Sequence, residues 1–398
     1  MGKVKKEKKE KKENGAGSIT YQIRNGRKYF TGRYTVGYDE NGKQIKRSIS
    51  GYNKAEIQTK LKEKTLQVSQ GLLSLKDDVT FGDFFREWIY VFKKPNVSNS
   101  TFEKYEADYR LRILGSPLEN ARLSKIDVFL IRKTVNYWLD NNSLKQTEDV
   151  FGRVKTCFKM AIGEKYILHD PTYNVSLPKE KKLRTRYQHF TVEQQDTFFS
   201  ELNLTTYTPT DMLIYIYFAS GCRLSEGLAF EWPDFHDGGL EINKQYSKSQ
   251  IISDDGNKRK VVQEITPLKT INSYRFVPLP DNVVRQVENY RKLQNDYIKN
   301  NPDYVNKNLM FPNGTGNYLD RKLPQERVRN FCKKHGYRDL TLHSIRHTYA
   351  TRLFEKGVSP KVVQSLLGHS KIEITLNVYT HVIKNQADQE VNKLNDLF

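Results

Sequence analysis

The sequence predicts a multidomain α+β protein. It should comprise a small three-stranded β-sheet plus helix at the N-terminus, an all-helical segment, and a mixed, mainly helical segment with a small antiparallel sheet. Three observations carry that expectation. At 398 residues the chain is longer than one ordinary core organises. Its N-terminal part is rich in β-branched and aromatic residues punctuated by Asn-Gly pairs. From Thr80 onward the apolar spacing becomes helical.

Taken in order, residues 1–14 are a basic Lys/Glu tail of low complexity, a composition expected to be disordered. Residues 15–72 should form the sheet unit. Strand-like runs at 18–23, 28–38 and 44–50 are separated by Asn25-Gly26 and Asn41-Gly42, and Asn-Gly favours the positive-φ turns that close hairpins. Asn53 is placed to cap a helix from about Lys54 to residue 70, with Ile57, Leu61 and Leu66 as its apolar stripe.

Residues 79–175 read as helices. Phe81, Phe84, Phe85 and Trp88 mark the first; Phe102, Tyr105, Tyr109 and Ile113 the second. Ile126, Leu130, Val135, Trp138 and Leu139 mark the third; Val150, Val154, Phe158, Ala161 and Ile162 the fourth. Residues 176–188 form a basic, Pro-marked linker. Residues 189–384 make the mixed segment. In it a helix opens at Thr191-Val-Glu-Gln and an apolar helix at 212–220 ends at Gly221, with strand-like runs at 240–246, 261–266 and 275–279. In the tail, 385–398, Val391, Leu394, Leu397 and Phe398 form an apolar stripe that either packs on its own domain or docks on a neighbouring protomer.

The net charge is +20, of which +12 falls in residues 1–76, +3 in 77–182 and +5 in 183–398. A basic block beside nearly neutral segments points to a polyanionic partner. Arg24, Arg27, Lys28, Arg33, Lys43, Lys46 and Arg47 lie on or beside the predicted sheet. A sheet can enter a DNA major groove; the plain alternative is a solvated face. No apolar run reaches the roughly 20 residues of a membrane span, and the basic N-terminus lacks the apolar stretch of a secretory signal. Cys157, Cys222 and Cys332 match neither a disulfide framework nor a metal-ligand pattern, which fits a reducing cytosol.

Four stretches of the mixed segment stand out. Ser220-Gly-Cys-Arg-Leu-Ser-Glu-Gly places Arg223 just after a helix. Pro267-Leu-Lys-Thr-Ile-Asn-Ser-Tyr-Arg275 places Lys269 between two strand-like runs. His343-Ser-Ile-Arg-His347 sets His343 and Arg346 three residues apart, on one helix face. Leu366-Leu-Gly-His-Ser370 carries His369, and ten residues on comes Tyr379, one of 24 tyrosines. Singly each is an ordinary surface, capping or packing residue.

In this order the set resembles the tyrosine recombinase (phage integrase) family, whose catalytic residues follow the pattern Arg, Lys, His-x-x-Arg, His, Tyr. The helical segment resembles that family's core-binding domain, and the basic N-terminal unit resembles the arm-binding domain of integrases of temperate phages and integrative conjugative elements. Chromosome-dimer resolvases of the family generally lack that unit.

The resemblance implies site-specific cleavage and rejoining of DNA through a 3′-phosphotyrosyl bond to Tyr379, without metal, ATP or other cofactor. Arg223 and Arg346 would bind the phosphate oxygens. Lys269 would protonate the leaving 5′-oxygen, and His343 and His369 would bond the phosphate and assist proton transfer at Tyr379. Glu226 reads as structural, orienting an arginine or capping its helix. Thr375 reads as packing near the nucleophile helix, and His347 and His381 as supporting groups.

The expected partners are double-stranded DNA with core-type and arm-type attachment sites, further copies in a homotetramer, an excision factor and a host DNA-bending protein, with no membrane. The expected setting is the cytoplasm of a bacterial host, at the nucleoid.

Three rivals remain. A zinc hydrolase would use His343-x-x-x-His347, but Ser344 stands where the metalloprotease pattern needs Glu. A DNA-binding regulator with a decayed site would not need the intact set. A type IB topoisomerase shares the chemistry but has no use for an arm-type domain.

Overall fold

In the computed structural model, the described residues are 17–38, 43–69, 79–178 and 188–376. The N-terminal tail, the Asn41-Gly42 turn, most of the basic linker, Tyr379, His381 and the C-terminal stripe lie outside them. The chain divides into two compact units, Met1–Lys181 with Gln250–Lys260, and Lys182–Ser249 with Val261–Phe398.

In the first unit β1 (Ser18–Arg24), β2 (Arg27–Tyr38) and β3 (Gln44–Gly51) form an antiparallel meander. Asn25 and Gly26 both take positive φ, 48° and 73°, as a two-residue hairpin turn requires. The helix α1 (Lys54–Ser69) starts where Asn53 predicts: its Oδ1 accepts the Ala55 and Glu56 amides at 3.0 and 3.3 Å. On one face of the sheet Leu61 is buried against Tyr34 and Val36, and Ile57 is buried over Gly32 and Gly51. Leu66, expected in that stripe, is 57% exposed. Five residues past Leu61 it has rotated off the sheet-facing side, and Val68, seven past, packs there instead.

The strand register sorts the basic residues by face. Arg24 pairs with Arg27, Arg33 with Ser48 and Thr35 with Lys46, so these cations share the face that α1 leaves open, beside Thr20, Thr31 and Ser50. Lys28 and Arg47 alternate onto the other face, Lys28 lying 4.8 Å over the Tyr21 ring.

Helices α2 (Phe81–Glu87), α3 (Asn99–Asp108), α4 (Val128–Asn141) and α5 (Leu144–Gly163) follow. Thr80, Asp127 and Ser143 cap α2, α4 and α5 through their side chains. The aromatic and aliphatic stripes converge on one core that includes Phe81, Phe85, Trp88, Trp138, Val154 and Phe158. Ile126 falls before α4, because Asp127 starts the helix at Val128; Ile131 is the residue that enters the core.

The second unit contains α6 (Val192–Ser200), α7 (Pro209–Ser220), α8 (Leu224–Gly227), α9 (Asp281–Lys299), α10 (Lys322–Lys334), α11 (Leu342–Glu355) and α12 (Pro360–Leu367). Its small sheet has the order β4 (Phe235–His236), β5 (Gly239–Ile242), β8 (Arg275–Pro278). A separate ribbon pairs β6 (Lys244–Ile252) with β7 (Arg259–Pro267). The run expected at 240–246 thus breaks at Asn243 into strands of two sheets. Helix α7 buries Met212, Leu213, Ile214, Ile216, Tyr217 and Phe218, side chains on every side of it, so it runs through the core.

Candidate active site

Three chain reversals meet around the end of α7. Gly221 closes that helix in the left-handed region, φ 59°, and a Cβ there would meet Tyr349 Cδ1 at 2.4 Å. Two residues on, Arg223 begins α8. Its guanidinium donates to Glu226 Oε1 at 2.7 Å and to the Gly368 carbonyl at 3.1 Å, and its side chain keeps 38% exposure.

Arg346 approaches from the middle of α11. It is 3% exposed, and its Nη1 and Nη2 donate to the Gly221 and Leu367 carbonyls, each at 2.5 Å. The acceptors are the ends of α7 and α12, where helix carbonyls lack intrahelical partners. Burial and the nearby Arg223 and Arg275 bring its pKa down to about 9, so it remains charged at neutral pH. Gly368 ends α12 at φ 66°, and His369 follows.

Sequence reasoning reached Arg275 only as part of a motif; the structure puts it at the centre of this cluster. Its side chain is 4% exposed. Nε donates to the Leu366 carbonyl at 2.7 Å, Nη1 to the Ser273 carbonyl at 2.9 Å, and Nη2 to Glu226 Oε2 at 2.8 Å. Glu226 is 1% exposed and serves both arginines while accepting the Arg223 amide at 2.8 Å. Burial pushes its carboxyl up, but Arg275 and Arg223 outweigh that and hold it below the usual range. The expected orienting and capping roles of Glu226 are thus both present. A charge in a sequence carries no sign of its burial, so only the Arg-x-x-Glu spacing hinted at this pair.

The histidines line the same region. His369 Nδ1 lies 2.9 Å from Thr375 Oγ1, and its backbone is held by Gln364. Burial, then Arg346, Arg223 and Arg275, lower its pKa to about 3. His343, at the start of α11, is shifted down by partial desolvation and by Arg346 and Arg223. His347 packs edge to face on His343 with ring centroids 4.7 Å apart, and burial with His343 brings it to about 4. All three are neutral at pH 7, ready to bond an anion and to gain basicity when one neutralises the arginines.

The structure therefore brings Arg223, His343, Arg346 and His369 together. Lys269 is exposed in the turn between β7 and β8, and among the described residues no hydrogen bond ties its side chain to them. Among the described residues no group of three or more His, Cys, Asp or Glu is placed to hold a metal ion, and no helix is long and apolar enough to cross a membrane.

Residues 188–386 match the phage integrase family, and residues 80–139 match the N-terminal SAM-like domain of phage integrases. A tyrosine recombinase XerC-like protein of Caldanaerobacter subterraneus subsp. tengcongensis is 32% identical over 391 residues, 95% of this chain and 99% of that protein. The ICEBs1 integrase of Bacillus subtilis is 24% identical over 64% of this chain and 66% of its own length. Among solved structures, the Tn1549 transposon integrase in complex with circular intermediate DNA matches with a TM-score of 0.62 at 20% identity, covering 79% of this chain and 99% of that one. A lambda integrase dimer bound to a COC′ core site matches at 0.55 and 15% identity, covering 94% and 96%. The mixed fold, the guanidinium cluster and these likenesses lead to one conclusion: the chain belongs to the phage integrase family of tyrosine recombinases, DNA strand transferases.

Proposed function

We propose that this recombinase integrates and excises a mobile element, a temperate phage or an integrative conjugative element, and that Tyr379 is its nucleophile. The observation that carries the reading is electrostatic. Arg223, Arg275 and Arg346 lie within one interacting cluster, and Glu226 is bonded to the first two, while Arg346 donates only to backbone carbonyls among the described residues. Such a site holds excess positive charge in a partly water-excluded place and suits a phosphodiester anion. Bound there, the phosphate would take hydrogen bonds from Arg223, Arg346, His343 and His369. The Tyr379 oxygen would attack phosphorus as its proton passes to a histidine or to solvent. The P–O5′ bond would break as Lys269 protonates the departing oxygen. Reversal by a new 5′-hydroxyl would reseal the strand, since the phosphotyrosyl bond conserves the energy of the bond cut.

The open sheet face, with Arg24, Arg27, Arg33 and Lys46, suits an arm-type site, residues 79–175 a core-type site, and four copies would act together. The name of one relative, the ICEBs1 integrase of Bacillus subtilis, supports a mobile element as the DNA it moves. The test is a nicked suicide duplex carrying the junction of the circularised host element. Wild-type protein should become covalently attached to it, whereas Tyr379→Phe should bind the duplex and form no adduct. An adduct with Tyr379→Phe overturns the assignment. Relaxation of any supercoiled plasmid, without a specific site, favours a topoisomerase.

A further inference from the structure

The geometry points to Arg275 as a positioning residue that sets where Lys269 stands relative to Arg223 and His369, an inference that rests on the reading of Lys269 as the proton donor.

The side chain bonds to three segments that are far apart in sequence, twice to the first of them, with a longer second contact from Nη1 to Glu226 Oε1 at 3.3 Å. Through Glu226 Oε2, 2.8 Å from Nη2, it reaches the start of the Arg223 helix. Through the Leu366 carbonyl, 2.7 Å from Nε, it reaches the turn that presents His369. Through the Ser273 carbonyl, 2.9 Å from Nη1, it closes back on the loop that carries Lys269. A planar guanidinium satisfies three such acceptors at fixed angles; an ammonium on a flexible stem does not.

The loop itself transmits position. The Ser273 amide donates to the Thr270 carbonyl at 3.0 Å, and the hydroxyls of the same two residues lie 2.9 Å apart, so residues 270–273 form a closed turn. On the other side of Lys269, Leu268 is 9% exposed and sits in the core of the second unit. Lys269 is therefore an exposed side chain on a short backbone held at both ends, and Arg275 ties the downstream end to the arginine and histidine turns. Gly368 completes the fit: a Cβ there would lie 2.9 Å from Arg275 Nη1 and 3.1 Å from the Asn272 carbonyl, so the His369 turn can approach this closely only as glycine. Arg275 is almost fully buried, with side-chain exposure of 4%, so its effect on the phosphate acts through the groups it holds.

Loss of Arg275 should then produce the defect of a misplaced proton donor, and leaving-group chemistry separates that from general damage. With an ordinary phosphodiester the departing 5′-oxygen needs its proton. With a 5′-bridging phosphorothiolate the sulfur leaves as a thiolate and needs none. The experiment measures single-turnover cleavage of both duplexes, carrying the junction of the circularised host element, by full-length wild type, Lys269→Ala, Arg275→Met and Arg275→Lys. Folding is monitored by thermal melting and by affinity for the duplex.

On the oxygen substrate Lys269→Ala and Arg275→Met should each cleave about 10²-fold more slowly than wild type. On the sulfur substrate both deficits should shrink to within about 10-fold, with Arg275→Lys intermediate on oxygen and near wild type on sulfur. Equal deficits for Arg275→Met on both substrates, with Lys269→Ala rescued, overturn the positioning role and leave Arg275 a structural residue. Unchanged cleavage by Arg275→Met overturns it too. If Arg275→Met does not fold, the Arg275→Lys comparison alone decides in the same way. Failure of wild type to cleave either duplex, or of sulfur to rescue Lys269→Ala, instead defeats the assigned reaction or the assigned proton donor.

Discussion

Two sets of cations in this chain sit in opposite surroundings. Arg27, Arg33 and Lys46 stand exposed on an open sheet face in the first unit, among hydroxyl-bearing neighbours. Arg346 and Arg275 in the second unit are sealed in, 3% and 4% exposed, with their donors committed to carbonyls and one carboxylate. An exposed cation costs little to keep charged and attracts a polyanion through water, so it supplies affinity that salt can screen. A buried one must be solvated by fixed protein dipoles. That makes it costly to install, but it needs no reorganisation when charge develops beside it. On the proposed function, the same residue type would serve attraction in one unit and would hold or stabilise the reacting phosphate's surroundings in the other, and burial marks the difference.

The comparison breaks first, and most heavily, at the buried set. Arg346→Lys should lower single-turnover cleavage by about 10²–10³-fold, because one ammonium cannot replace the paired donors of the guanidinium. Its affinity for the duplex should change little. A comparable loss of affinity would place Arg346 among the attracting cations.

Gly368→Ala tests the packing that seals this set. The left-handed backbone and the tight approach to Arg275 should cost about 1–3 kcal/mol, read as a lower denaturation midpoint with unchanged slope. An unshifted midpoint would mean that the turn can open without loss.

The exposed set should respond in binding alone. Replacing Arg24, Arg27, Arg33 and Lys46 together by Ala should weaken binding to arm-type DNA. It should also flatten the salt dependence by about 0.9 in log–log slope for each phosphate that is no longer neutralised. Cleavage of an isolated core site should be unaffected. A cleavage defect there would contradict the division of roles.

The smallest effect is in pH. His347 and His369 have folded pKa values near 4 and 3 against 6.5 in the unfolded chain. Below about pH 6.5 the unfolded chain takes up protons that the folded site refuses, so stability should fall as pH drops from 6.5 towards 4. Melting temperatures across that range should show it, and His369→Asn should lessen the decline. Bound DNA should do likewise, since a phosphate favours the protonated rings. A pH-independent melting temperature would show that these rings are not desolvated.

Much of this was legible in the residues. Local signals suffice where neighbours in sequence decide the conformation. Asn25-Gly26 specified a hairpin because few residue pairs accept two positive φ values, and Asn53, Thr191 and Gly221 marked helix ends because they satisfy the backbone where they stand. The apolar stripes of α2 and α5 named their core residues, since helical periodicity is a property of the chain itself. Leu66 misled because the sheet-facing side of the helix passes from Leu61 to Val68 and not through it, and the run at 240–246 because strand propensity does not say which partner each residue will pair with.

The order Arg223, Lys269, His343, Arg346, His369, Tyr379 was sufficient to name the family and the chemistry expected of it. What it could not reveal was Arg275. Whether an arginine is solvated, paired or buried depends on residues roughly 50 to 90 positions away, here Glu226 and Leu366, that meet it only when α8, β8 and α12 are packed together. The sequence by itself therefore determined the family, which groups are candidates for its chemistry, and where the chain turns. The tertiary structure alone decided which cations lose their water, because desolvation is a property of the assembled surroundings and not of any residue.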